Sequence, residues 1–181
     1  MKTRFYLAAL TVATLSACAS NMPMTPMFSQ AMLPDAVKVP TGHTVAMETA
    51  AAGDITYQCR AKKDMADQFE WVFVGPSAPL KDRKGMTVGK YFGPPATWES
   101  MDGSKITGAQ VAVAPNGDGN IPLQLVKANP AMGMGAMQGV SYIQRVATRG
   151  GTAPKSLCGK TNVLENQVVQ YQADYIFYRA M

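Results

Sequence analysis

The chain has 181 residues, 47% of them apolar, which is enough to bury one ordinary core and not a second. Its formal charge of +5 falls to +3 if Lys2 and Arg4 leave with a leader, and its densest basic groups, residues 62–63 and 81–84, are followed or interrupted by Asp64 and Asp82. That pattern describes a solvated surface and excludes a nucleic-acid footprint, so no nucleic-acid partner is expected.

In chain order, Lys2 and Arg4 form a positive start, and residues 5–15 an apolar run too short to span a membrane. Leu15-Ser16-Ala17-Cys18 then makes a small-residue cleavage site ending in cysteine. This resembles a bacterial lipoprotein signal with its lipobox. The resemblance implies removal of residues 1–17, a diacylglycerol on the Cys18 sulfur and an acyl chain such as palmitate on its new amino group. Two or three chains anchor a protein stably, each buried methylene contributing about 0.8 kcal/mol. Ala19, where Asp would signal retention, points to the outer membrane. The alternative is an ordinary secretory peptide cut after Ala17 or Ala19. Residues 18–40 read as a flexible tether: Pro23, Pro26, Pro34 and Pro40 break any helix, and Met22, Met24, Met27 and Met32 add no periodicity.

The folded domain is expected over residues 41–181. Residues 44–47 predict a short first strand and residues 55–60 a better one, with Ile55, Tyr57 and Cys59 on one face. Residues 69–74 alternate as a strand that Gly75-Pro76 should end, and residues 86–92 follow a polar turn. Residues 97–100 and 105–114 form a hairpin turned at Asp102-Gly103. Asn116-Gly117-Asp118-Gly119-Asn120 makes a turn before residues 121–126; its alternating oxygens imitate half a calcium loop, but no Glu completes the ligand set. Val140, Tyr142 and Val146 mark one face of the next strand, with Gln144 as a polar exception, before Gly150-Gly151. In the last, residues 168–178, Val169, Tyr171, Ala173, Tyr175 and Phe177 face the core. No segment sustains a helical period. The expected architecture is a single all-β domain, an antiparallel β-sandwich resembling a jelly roll.

Tyr57-Gln58-Cys59, residues 71–76, Trp98-Glu99, residues 102–105, residues 142–146, residues 150–154, Cys158 and residues 171–175, in that order, resemble the exported domain of unknown function numbered 3455. That family, found in bacteria and fungi, implies an all-β secreted domain and brings no established activity. Its members often carry a histidine near Tyr91 and a tryptophan near Leu123, and this chain has neither.

Three cysteines are present. With Cys18 assigned to lipid and the rest exported into an oxidising compartment, Cys59 and Cys158 are expected to form a disulfide. His43 is the one histidine, so any triad or multi-histidine metal site must include it. Met132, Met134 and Met137 place three thioethers on one loop, soft ligands that suit copper(I); gap-filling is the ordinary alternative. Trp71, Tyr91 and Trp98 are candidates for a groove that stacks on sugars, against core packing. The expected function is that of a non-catalytic cell-envelope lipoprotein, binding or structural, with envelope polysaccharide or an envelope protein as partner. A secreted hydrolase or copper(I)-handling protein is the alternative.

Overall fold

The structure, a computed structural model, describes residues 28–65 and 67–181. The leader, Cys18 and residues 18–27 of the expected tether lie outside the described residues. Eight strands run in chain order: β1 (His43–Ala61), β2 (Phe69–Lys81), β3 (Thr87–Phe92), β4 (Thr97–Ser100), β5 (Lys105–Ala114), β6 (Leu123–Ala128), β7 (Val140–Gly150) and β8 (Asn166–Ala180). Every pairing is antiparallel, each strand beside its sequence neighbour, and β8 returns to β1 to close a barrel. The all-β, antiparallel, single-domain expectation holds. Its facing walls sandwich one core, but the connectivity is a closed meander, without the crossing loops of a jelly roll.

Two expected strand ends are not ends. Residues 44–47 and 55–60 belong to one 19-residue strand, because Ala50, Ala51, Ala52 and Gly53 between them pair with residues 171–174 of β8 without a break. β2 likewise continues through Gly75-Pro76. A Cβ on Gly75 would lie 2.1 Å from the Gly93 carbonyl oxygen, so glycine lets the β3–β4 turn lie across the strand. Pro76 stands where the far edge of β2 has no neighbour, since β3 joins only at Ser77. Register shifts in β1, β2, β5 and β7 supply the extra residues with which a sheet bends into a barrel.

The inner face carries the main core, including Ile55, Tyr91, Trp98, Ile106, Ile143, Tyr175 and Phe177. A second core lies outside the barrel, where Leu123, Leu125, Val146, Ile176 and Tyr178 pack under Val37 and Val39. Part of the expected tether is therefore a strap: residues 28–40 lie on the wall, and Val37, in a short 3-10 turn, is 0% exposed. Gln144, the polar exception of β7, holds it. Its amide donates to the Val37 carbonyl (2.6 Å) and to Gln30 Oε1 (3.0 Å), and its oxygen accepts from the Tyr178 hydroxyl (2.7 Å). Gln30 in turn clasps both polar groups of the Val39 backbone. A buried amide with its partners supplied is tolerated where a bare one would be costly.

Cys59 and Cys158 form the expected disulfide, with 5.5 Å between their Cα atoms and a sequence separation of 99. The segment carrying Cys158 is also fastened by backbone bonds from Cys59 to Glu165 and from Leu164 to Cys59.

Two stability measurements follow from this architecture. In denaturant unfolding, Val37→Ala should cost about 2 kcal/mol, two buried carbons and a cavity; a residue on a disordered tether would cost nothing. The double variant Cys59→Ser, Cys158→Ser should lose about 2–5 kcal/mol, as expected for opening a long covalent loop.

Candidate functional site

Alternation along β3, β4 and β8 sends Tyr91, Trp98, Tyr171 and Tyr175 into the barrel. Tyr91 stands opposite Trp98 in the ladder. Their rings stack with centroids 4.8 Å apart, and Tyr175 lies 4.8 Å from the first and 5.7 Å from the second. Trp98 is 1% exposed and Tyr91 6%. The expected surface groove of Trp71, Tyr91 and Trp98 is thus not formed, because the register turns two of its rings into the core. Trp71 is half-buried, and its indole N–H donates to the Ser156 carbonyl (2.9 Å), steadying the segment that carries Cys158.

The same interior holds polar groups without partners. Among the described residues, Trp98 Nε1 and the hydroxyls of Tyr171 and Tyr175 are buried with no hydrogen bond. The phenols of Tyr91, Tyr171 and Tyr175 are close enough to affect one another's ionisation, yet the last two do not reach bonding geometry. Burial pushes Tyr171 up to about 12 and Tyr175 well above the ordinary tyrosine value, so both remain protonated donors. Arg145 stands opposite Tyr175 and Gln124 in the ladders, on this inner face. Its Nε and Nη2 donate to the Pro122 carbonyl (3.1 and 2.9 Å), and its charge partly opposes the rise at Tyr57, Tyr91, Tyr171 and Tyr175.

Sequence reasoning missed this arrangement because of one register shift. It falls between Val140 and Tyr142 and breaks the alternation, so Val140 joins the inner core while Tyr142 and Val146 join the outer one. Ile143 and Arg145 thereby face inward. The usable signal was the unbroken alternation of β8, which places Tyr171 and Tyr175 inside.

The methionine loop is a fastened corner. Met132 bridges to Lys105 by a pair of backbone bonds, and Met137 N donates to Ser104 Oγ. Met137 is 1% exposed in the main core while Met134 is 76% exposed on the surface. Of Met132, Met134 and Met137, the three thioethers of the copper(I) reading, core packing takes Met137. Asp102 clasps the corner. Its carboxylate accepts from Ser104 Oγ (2.5 Å), Ser104 N (2.9 Å) and Ala136 N (2.7 Å). A Cβ on Gly135 would meet that carboxylate at 2.3 Å, so the clasp requires glycine there.

The half calcium loop is a plain turn. Asn116 donates to Thr148, while Asn120 donates to Asn116 and accepts from Gly150. His43 opens β1 with its ring edge-on to Tyr142 and Nδ1 at 3.0 Å from the Pro40 carbonyl oxygen. Of the carboxylates, Glu99 pairs with Lys90 at 3.4 Å. Asp174, half-buried on the outer wall, has its carboxyl raised by burial and then by Glu48. Among the described residues no group of three or more histidines, cysteines or acids is placed to hold a metal ion.

Residues 40–179 match the family described as Protein of unknown function (DUF3455), and the chain belongs to that family. No curated protein and no solved structure matches it.

The clasp gives an acid-side signature. Hydrogen bonds, first from the Ser104 hydroxyl and then from backbone amides, hold the Asp102 carboxyl at about 2 against an ordinary 3.8. A folded value below the unfolded one stabilises fully above the unfolded value and is lost as pH falls through the folded one. In urea unfolding, the advantage of wild type over Asp102→Ala should be constant above about pH 5 and vanish toward pH 2; parallel profiles would remove the clasp from the account.

Proposed function

We propose that this member of the family is a lipoprotein of the cell envelope, anchored through Cys18 and carrying a non-catalytic binding or structural barrel. The observation that carries the reading is the Cys59–Cys158 disulfide. Such bridges belong to oxidising compartments outside the cytoplasm, in keeping with the leader of residues 1–17. Ala19 after the cysteine favours the outer membrane.

The strap refines the picture of attachment. Phe28, at the start of the strap, lies ten positions after Cys18, a covalent reach of at most about 35 Å at roughly 3.5 Å per residue. The barrel then works near the lipid surface, where an envelope polysaccharide or protein is within contact. The non-catalytic reading is supported by His43, whose ring is engaged by Pro40 and Tyr142.

Mass spectrometry of membrane-extracted protein should find an acylated amino-terminal peptide starting at Cys18, and Cys18→Ala should release the domain from the membrane fraction. A free terminus at Ala19 or Ser20 would sink the proposal.

A further inference from the structure

We infer that one end of the barrel is a surface that rests on the lipid bilayer, its methionines reaching the boundary between headgroups and acyl chains. The inference rests on the proposed anchor at Cys18 and adds which face of the barrel meets the lipid. In a meander whose neighbours are all antiparallel, the turns after β2, β4 and β6 lie at the same end as the start of β1 and the finish of β8. Met86, Met101, Met132, Met134 and Met181 sit on those turns and that finish, each between 48% and 84% exposed. Single scattered apolar residues need no explanation, but these loops are joined to one another. Met101 N donates to the Val88 carbonyl (2.9 Å), Ala136 N to Asp102 (2.7 Å) and Arg179 to the Ala136 carbonyl (2.8 Å), while Met132 is bridged to Lys105. The methionines therefore share one rim.

The strap starts beside this rim. The Phe28 N–H is held by the Glu48 carboxylate, which also takes the guanidinium of Arg83 in the β2–β3 turn. Cys18 lies only ten positions before Phe28. A lipid on Cys18 is thus tethered next to the end that carries the methionines. A thioether side chain is unbranched and adaptable, which suits contact with fluid acyl chains, and a surface of this kind holds to lipid through apolar area together with attraction to anionic headgroups.

Charge agrees with this choice of end. The turns of the rim and the strand ends that flank them carry Lys81, Arg83, Lys84 and Lys105 against Asp82 and Asp102, whose carboxylates accept from backbone amides. The far end balances Lys62, Lys63, Lys155 and Lys160 with Asp64, Asp67, Asp118 and Glu165. An anionic lipid surface attracts the first set and is indifferent to the second. The far end also exposes apolar side chains, among them Phe73, Val111, Leu157 and Leu164. Exposure alone does not choose between the ends; the place of the strap and the charge do.

The test uses the acylated chain, labelled at its methionine methyl carbons, in vesicles of phosphatidylethanolamine and phosphatidylglycerol that carry a gadolinium-chelating lipid. The methyl signals of Met86, Met101, Met132 and Met134 should broaden strongly, and that of Met65, exposed at the far end, much less. Sedimentation with the same vesicles reports the anchor separately. A chain left in solution would overturn the anchor and this inference with it, whereas a chain that sediments with Met65 broadened as much as the rim would overturn the orientation alone. The triple variant Met86→Gln, Met101→Gln, Met134→Gln should keep the melting temperature, since these side chains are exposed, and should lose the contrast between Met132 and Met65. Contrast that persists in that variant would show the barrel aligned by its tether and charges without the methionines, and would overturn their role.

Discussion

β1 pairs with β2 along one edge and with β8 along the other, and this double engagement of a single 19-residue strand is the constraint on which the molecule depends. A sheet with eight strands in chain order would otherwise keep two open edges. Closure removes them and forces one face of every strand inward. The small residues at the middle of β1 are the means. A Cβ on Gly53 would approach Ser77 O at 2.3 Å, so a larger residue would push β2 away just where β1 serves both neighbours.

Closure also accounts for the two cores. The inner one is filled by side chains, as an eight-stranded barrel of this size permits. The outer one exists because the wall around Val146, Ile176 and Tyr178 is apolar on its outer side as well and needs a cover. The strap supplies it, with Gln144 buried at the junction and bonded on three sides. A polar residue inside an apolar patch fixes one register for the strap, since sliding it by a residue would leave that amide without partners.

Much of this was legible in the residues. Strand-forming segments bounded by Gly, Pro, Asn and Asp indicated the all-β class, the Asp102-Gly103 turn indicated the β4–β5 hairpin, and the cysteine count indicated the disulfide. What failed did so for definable reasons. Ala50 and Gly53 have weak strand preference, yet two flanking ladders outvote local propensity. Proline-rich residues 28–40 carry no helix or strand signal, and side chains alone hold them down. The register shift before Tyr142 is invisible to alternation, which assumes an unbroken period of two, and it is the shift that turned Arg145 inward. Tyr91 and Trp98 were candidates for a sugar-stacking groove as much as for the core, because the residue types are the same in both and their direction depends on ladder positions.

The strap has a mechanical meaning. Among the described residues, tension entering from the amino-terminal side meets Phe28, whose backbone N–H is held by Glu48 of β1, and then Gln30, clasped to Val39 and Gln144. The load passes into side-chain contacts on the outer wall before it meets the ladder that begins at His43. Those contacts are a handful of side-chain bonds, while the seam behind them is a continuous ladder of backbone bonds. The strap is in this sense a strain relief, set between whatever tugs on the amino terminus and the seam that keeps the barrel closed.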